Sequence, residues 1–191
     1  MIKGMIILWL FLNGDKDMQN LKLVFPCEGY DEEWMAIIQE METETLDITP
    51  YALKHRTKDY EEYLRIVRSY AKGISLPNGH VRAETYFLTK DSEKRILGAI
   101  DIRFVLNEYL YNYGGNIGYG IRPSERRKGY AQEMLALALD VCRRNGLKKV
   151  LVTCDDDNLG SRRIIEKNGG VLENIVPFED ENVMRFWINL M

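Results

Sequence analysis

The stretch Asn116-Ile-Gly-Tyr-Gly-Ile-Arg-Pro-Ser-Glu-Arg-Arg-Lys-Gly-Tyr-Ala131 combines a short strand, a basic loop that contains glycine, and the start of a helix. Apolar residues recur at helical spacing over 131–145, and Gly146 stands where that helix should end. The apolar run within 149–154 predicts a buried strand. Because a connection of this length joins parallel strands, the stretch predicts two parallel strands with the helix on one face.

The loop of this unit is typical of a phosphate site. The first N–H groups of a helix have no partner within the helix, and the positive end of its dipole favours an anion. Gly129 has no Cβ to obstruct a ligand, and Arg126, Arg127 and Lys128 add positive charge. The P-loop motif is absent, and Pro123 stands where a dinucleotide fingerprint needs its third glycine.

The flanking sequence predicts one domain over 18–191, preceded by an N-terminal extension, Met1–Asp17. Turn residues around Asp91-Ser92 indicate a hairpin between two of the strands. The further predicted elements are strands at Leu21–Pro26, Ala83–Lys90, Arg95–Phe104, Val171–Val176 and Met184–Leu190, and helices at Asp31–Glu44, Tyr60–Lys72 and about Ser161–Lys167.

Composition narrows the class of protein. The 191 residues include 26 Lys and Arg against 29 Asp and Glu, a balance that argues against a nucleic-acid binder. Three scattered cysteines, Cys27, Cys142 and Cys154, argue for a reducing, cytoplasmic location. The longest apolar run, Met5–Leu12, is far shorter than the roughly 20 residues that a membrane-spanning helix needs, so no membrane association is expected.

Charge is segregated along the chain. Residues 28–62 contain eleven acidic and three basic residues, whereas residues 122–149 contain eight basic and three acidic residues. One interpretation is a pair of ligands of opposite sign, and the other is that both segments are ordinary solvated helix faces.

Two segments carry a resemblance to a known family. Arg126-x-x-Gly129-x-Ala131 resembles the Gln/Arg-x-x-Gly-x-Gly/Ala motif of the GNAT superfamily, the acetyl-CoA-dependent N-acetyltransferases. Asn158-Leu-Gly-Ser161 and the helix that ends at Gly169 resemble a second segment of that family. The resemblance covers Asn116 to about Val171. It implies an α/β (α+β) fold whose mixed, mostly antiparallel twisted sheet has helices on both faces and whose parallel fourth and fifth strands splay apart.

The resemblance also implies acetyl-CoA as co-substrate, with no metal. Pantetheine would lie along the fourth strand, and backbone N–H groups of the basic loop would hold the pyrophosphate, with Asn158 reaching the cofactor from the next helix. The cofactor-binding residues expected on this basis are Tyr119, Gly120, Ile121, Arg126, Arg127, Lys128, Gly129, Tyr130, Ala131, Gln132 and Asn158. Asn158 has an alternative role as a helix N-cap.

The chemistry implied is direct attack of a primary amine on the thioester in a ternary complex. It needs a base for the ammonium proton, N–H donors for the oxyanion, expected near Ile121, and an acid for the thiolate. The candidate bases are Asp101, Glu108 and Asp155, and His80 is a weaker one. Each of them also has an ordinary structural interpretation as a strand, loop or turn residue.

The sequence differs from the family at the residue expected to protonate the thiolate. The family commonly carries a tyrosine seven residues after the asparagine, and here that position is Ile165. Tyr119 on the fourth strand is the candidate replacement. Tyr109, Tyr111 and Tyr113 recur at every second residue, and either line an acceptor pocket or pack one strand face. The acidic run at 155–157 is better explained as a polar loop than as a metal site.

Several functional alternatives remain open at this point. A catalytically silent acetyl-CoA-binding or sensing module would share the cofactor loop, and a nucleotide-phosphate binder would also use it. The acceptor is expected to be a small-molecule or peptide amine, cationic if residues 28–62 form a negative wall. A monomer and a homodimer are both compatible with the sequence.

Overall fold

The computed structural model describes residues 20–45, 48–55, 57–91 and 93–191, so the predicted N-terminal extension lies outside the described residues. The described residues form seven strands and four α-helices. The strands are β1 Leu21–Val24, β2 Ala83–Lys90, β3 Gly98–Arg103, β4 Ile117–Ile121, β5 Lys149–Asp155, β6 Gly170–Phe178 and β7 Glu181–Asn189. The helices are α1 Asp31–Glu42, α2 Tyr60–Lys72, α3 Tyr130–Arg144 and α4 Leu159–Lys167.

The strands form one mixed sheet in the order β1-β2-β3-β4-β5-β7-β6. Every neighbouring pair is antiparallel except β4 and β5, which run parallel. Their ladder registers at a single pair, Ile117 with Val152, and the strands separate beyond it. The predicted mixed sheet with a splayed parallel pair is therefore confirmed.

Alternate residues of the sheet point to opposite faces, and each face is covered by helices. On one face α3 and α4 pack against an apolar cluster that includes Ile100, Ile117 and Phe186. On the other face α1 and α2 cover a second cluster built around Trp34 and Phe87. Strand β4 consequently has one face toward α3 and α4 and the other toward α1 and α2.

The ends of the elements explain two differences from the predicted boundaries. Helix α4 begins at Leu159 rather than Ser161, because the Asn158 side chain accepts a hydrogen bond from the Ser161 N–H and caps an earlier turn. Strand β3 begins at Gly98 rather than Arg95. The backbone leaves the ladder at Ile96, whose N–H donates to the Glu33 carboxylate.

The tyrosines at 109, 111 and 113 do not lie on a strand. Residues Leu110–Gly114 form a short π-helical turn, so the alternation in the sequence does not reflect one strand face. The rings of Tyr109 and Tyr113 contact each other, whereas Tyr111 packs near Trp187. None of the described helices is both long and apolar enough to cross a membrane.

Candidate active site

A single asparagine fixes the point at which β4 and β5 part. The Asn116 N–H donates to the Leu151 carbonyl (2.7 Å), and the Leu151 N–H donates to Asn116 Oδ1 (2.8 Å). The Asn116 side-chain amide also donates to the Arg103 carbonyl on β3. Beyond this junction the separated strands border a cleft of about 1220 Å³. The cleft therefore opens next to Asn116, which is hydrogen-bonded both to β3 and to β5.

The basic loop borders this cleft at the start of α3. Arg127 and Gly129 both have a left-handed backbone, with φ of 62° and 87°. Helix α3 begins directly after Gly129, and no side chain of the described residues caps it. The N–H groups of Tyr130 and Ala131 and the positive end of the 15-residue helix are thus available to an anion in the cleft, whereas the Gln132 N–H donates to the Gly129 carbonyl (3.1 Å).

The three basic side chains of the loop differ in their environment. The Arg126 guanidinium donates to the Ile121 carbonyl (3.2 Å) and pairs with Glu44 (2.6 Å). Lys128 pairs with Glu125 (2.8 Å) and does not line the cleft. Arg127 lines the cleft and makes no ion pair with a described residue. Of the three, Arg127 therefore has the charge most available to a phosphate.

Helix α4 forms the opposite wall. Asn158 lines the cleft, although its side-chain oxygen is already used in capping the helix (2.9 Å to the Ser161 N). Two further cations on the cleft side of α4, Arg163 and Lys167, were missed by the sequence reasoning. The available signal was the spacing of four residues between Arg163 and Lys167, because residues four apart share a helix face.

Tyr119 and Ser161 connect the two walls. The Tyr119 side chain points toward the α3 and α4 face and its hydroxyl lies 2.7 Å from the Ser161 hydroxyl. Burial raises the pKa of Tyr119 to about 12, although the bond to Ser161 acts in the opposite direction. Ile165 is fully buried in the core on that side of the sheet. The tyrosine hydroxyl expected at position 165 in the family is therefore replaced by packing, while Tyr119 supplies a hydroxyl in the cleft.

Asp101 lies beside β4 on the other face. In the sheet register Thr85, Asp101 and Gly118 are direct neighbours on β2, β3 and β4, so they share one face. The Asp101 carboxylate accepts from the Thr85 hydroxyl (3.0 Å) and pairs with Arg103 Nε (3.0 Å). Burial raises its pKa, and Arg103 and Thr85 offset only part of that effect.

The two glycines of β4, Gly118 and Gly120, let neighbouring groups approach the strand closely on this face. A Cβ at Gly120 would lie 2.0 Å from the Thr49 carbonyl oxygen, so the loop that carries Thr49 packs directly on the strand. A Cβ at Gly118 would lie 3.1 Å from Arg103 Nη2. The Thr49 loop and Arg103 thus border the stretch of β4 that faces α1 and α2.

The remaining candidate bases lie in different places. Asp155 is exposed and lines the cleft at the end of β5. Glu108 is exposed and is not among the described residues that line the cleft. His80 is exposed and lines the cleft, and its Nδ1 lies 2.5 Å from the Tyr70 hydroxyl.

The acidic segment does not form the predicted negative wall. Glu33 and Glu40 pair with the buried Arg122, and Glu44 pairs with Arg126. None of the described carboxylates of 28–62 lines the cleft. Three carboxylates of the acidic segment therefore pair with basic residues of 122–149, because helix α1 packs against the loop that follows β4, and the described carboxylates of 28–62 form no negative wall in the cleft.

Comparison with known proteins gives consistent results. Residues 21–171 match the family described as "Acetyltransferase (GNAT) domain". Over 101 residues the chain is 30% identical to the uncharacterized N-acetyltransferase YjdG of Bacillus subtilis (strain 168), covering 51% of this chain and 56% of that protein. The chain thus spans little more than half the length of that relative.

Two solved structures share the fold. RimL, a ribosomal L7/L12 α-N-protein acetyltransferase in complex with coenzyme A, superposes with a TM-score of 0.65 at 16% identity, covering 90% of this chain and 94% of that chain. The spermidine N-acetyltransferase from Vibrio cholerae gives 0.61 at 16% identity, with the same coverage. At these identities the likeness concerns the fold alone. The family match over residues 21–171 covers most of the chain, and the chain belongs to the GNAT acetyltransferase family.

Proposed function

We propose that this chain transfers the acetyl group of acetyl-CoA to a primary amine by direct attack in a ternary complex. The observation that carries the proposal is the opening between β4 and β5 beside the uncapped start of α3. It places an edge of β4 without ladder hydrogen bonds and a helix start that suits a phosphate in one cleft. Membership of the family supports the same reaction.

The residues around the cleft fit acetyl-CoA. Backbone N–H groups over 127–131 would hold the pyrophosphate at the positive end of α3, with Arg127 contributing its charge. The edge of β4 at Tyr119, Gly120 and Ile121 would pair with the amides of pantetheine, as an added strand does. When bound, acetyl-CoA supplies the activated thioester.

Asp101 is the base that the geometry supports best. It is the register neighbour of Gly118 on the cleft strand, and its raised pKa makes it a better proton acceptor than an exposed carboxylate. In this proposal Asp101 accepts the ammonium proton, and Arg103 and Thr85 hold the carboxylate in place. Asp155, at the cleft rim, is the second candidate, and Glu108 gains no support from its exposed position.

Tyr119 is proposed as the acid for the departing thiolate. Its hydroxyl lies in the cleft on the opposite face of β4 from Asp101, and its raised pKa keeps it protonated at physiological pH. N–H groups of β4 near Ile121 would stabilise the oxyanion. A base and an acid on the two faces of one strand favour catalysis over a silent sensing module.

The acceptor is proposed to be a small-molecule or peptide amine, which reaches the cleft as a cationic ammonium group. Among the structural neighbours one acetylates a ribosomal protein and another acetylates spermidine, so the fold accommodates both kinds of amine. A cytoplasmic location is proposed with it, since acetyl-CoA is the co-substrate and the cysteines are not paired.

A thiol-release assay with acetyl-CoA and a panel of amines tests the proposal. Asp101→Asn should lower kcat strongly and leave the affinity for acetyl-CoA unchanged, because it removes the proton acceptor without touching the α3 loop. Glu108→Gln is the matched control, a carboxylate outside the cleft, and should retain full activity. Equal activity of the Asp101→Asn variant and the wild type would remove Asp101 from the mechanism.

A further inference from the structure

Arg185 ties the π-helical turn Leu110–Gly114 to strand β7. Its side chain is 5% exposed, and its Nε (3.2 Å) and Nη2 (3.0 Å) both donate to the Tyr111 carbonyl. Its Nη1 donates to Asn174 Oδ1 (2.9 Å) and pairs with Glu173 (2.9 Å). Because all three nitrogens of this buried planar group are bonded, Arg185 holds the turn in one position against the sheet.

The neighbouring strand holds the same turn. Thr153 on β5 is the register neighbour of Arg185, and its hydroxyl donates to the Tyr113 carbonyl (2.7 Å). The two residues beside Thr153 on β5 belong to the apolar cluster under α3 and α4. Successive side chains of a strand point to opposite faces, so Thr153, Arg185 and the turn lie on the face of the sheet that carries Asp101.

The turn borders the cleft beside the proposed base. Leu110, Tyr113 and Gly114 of the turn line the cleft. The Gly114 carbonyl accepts a hydrogen bond from Arg103 (3.0 Å), which in turn pairs with Asp101. On this face α1 and α2 cover the strands on the other side of Asp101. An amine that gives its proton to Asp101 would therefore lie between these helices and the turn.

We infer that Arg185 is a positioning residue for the acceptor amine, because it holds the turn, and with it Tyr113, at the place where the amine binds. This inference rests on the proposed function and adds a residue outside the cleft that governs amine binding. Arg185 does not line the cleft, so it acts through the turn alone. The bonds between Asn116 and Leu151 hold β4 independently of Arg185, so the acetyl-CoA side should keep its geometry when the turn is loosened.

Arg185→Met tests the inference by separating the two substrates. Thiol release would be measured with hexylamine, spermidine and alanyl-alanine amide, and the amine with the highest wild-type kcat/KM serves as the probe. Its KM should rise ~10-fold or more in the variant, because the turn loses two hydrogen bonds from a charged donor and the amine loses its fixed position. The affinity for acetyl-CoA, measured by calorimetry, should not change.

Two further variants keep the test independent of the folding of Arg185→Met. Arg185→Lys keeps the charge without the planar fork and should raise the KM for the amine less than Arg185→Met does. Thr153→Val removes only the bond to the Tyr113 carbonyl and should act in the same direction. Glu173→Gln is the matched control, since it removes the ion pair of Arg185 but leaves the bonds to the Tyr111 carbonyl, and should leave both substrates unaffected.

Hydrogen exchange followed by mass spectrometry adds a measurement that needs no turnover. Exchange in residues 110–116 should be faster in Arg185→Met than in the wild type, whereas exchange in α3 should be unchanged. A wild-type KM for the amine, equal losses of amine and acetyl-CoA binding, or unchanged exchange over 110–116 would each overturn the inference. Absence of turnover with every amine in the wild type would instead contradict the proposed function, and with it the role of Arg185.

Discussion

The hydroxyl groups of Tyr119 and Ser161 lie 2.7 Å apart, and their contact joins strand β4 to the first turn of helix α4. Tyr119→Phe removes only the hydroxyl, so kcat should fall by roughly 10-fold to 100-fold if that hydroxyl protonates the thiolate. The affinity for acetyl-CoA, measured by calorimetry, should change little because the ring and its packing remain.

Ser161→Ala separates the orientation of the Tyr119 hydroxyl from its role as proton donor. The variant leaves the Tyr119 hydroxyl in place, and a partial loss of kcat is expected from the loss of its orientation. Because the pKa of Tyr119 is raised to about 12, its deprotonation should not limit the rate at any pH below about 10. Wild-type turnover in Tyr119→Phe would leave water as the acid.

Gly129→Glu should abolish tight binding of acetyl-CoA. The substitution brings a negative side chain to the start of α3, where the pyrophosphate is proposed to bind, and strains a backbone with φ of 87°. Gly146→Glu is the matched control, since Gly146 has φ of 82° at the other end of the same helix and lies outside the cleft. Equal affinity of the two variants, with both folded, would contradict the location of the phosphate site.

Local sequence patterns predicted the part of the site that local backbone geometry creates. The spacing of Arg126, Gly129 and Ala131 after a strand identifies the loop and the helix start, and Gly146 identifies the helix end. The splay of β4 and β5 follows from the family resemblance. The bonds between Asn116 and Leu151, which hold the two strands together where the separation begins, have no sequence pattern of their own.

Long-range pairing was not predictable in the same way. The charges of residues 28–62 suggested a negative wall. Glu33 and Glu40 instead form ion pairs with Arg122, which lies some 80 to 90 positions away in the chain. The position of Asp101 beside Gly118 depends on the register of β3 against β4, which one sequence does not specify. Charge counts along a chain do not reveal which charges remain free.

Arg122→Met should destabilise the fold and leave the chemistry of the cleft intact. The Arg122 side chain is 5% exposed and holds Glu33 and Glu40 of α1, so its removal leaves two partly buried carboxylates without their partner. We expect a loss of about 1–3 kcal/mol in the free energy of unfolding, measured by urea denaturation. Arg68→Met, which breaks an exposed pair with Glu28, should leave the urea midpoint unchanged.

His55 should make the fold sensitive to mild acid. Burial, with a smaller contribution from His80, lowers the pKa of His55 from 6.5 to about 4, and its Nε2 has no hydrogen-bond partner among the described residues. Well above pH 6.5 the imidazole is neutral in the folded and the unfolded chain, so it has no effect on the pH dependence there. Between the two pKa values only the unfolded chain binds the proton, so stability falls as the pH falls, by up to about 1.4 kcal/mol per pH unit.

The variant His55→Asn tests this slope, because asparagine is uncharged and tolerates the positive φ of 46° at this position. Urea denaturation at several values between pH 4.5 and pH 7 should give a flatter pH dependence for the variant than for the wild type, whatever its absolute stability. His80→Gln, at an exposed histidine, should retain most of the wild-type slope. An unchanged slope in His55→Asn would show that other groups cause the acid sensitivity.

Amine-dependent release of the CoA thiol is the decisive test for acetyl transfer by this chain. The full chain would be incubated with acetyl-CoA and primary amines, and the amine product identified by mass spectrometry, with Gly129→Glu as the inactive control. We expect thiol release that requires an amine, together with transfer of one acetyl group to that amine. Binding of acetyl-CoA without any amine-dependent release would contradict the account and favour a sensing module, and protection by ATP without protection by CoA would favour a nucleotide binder.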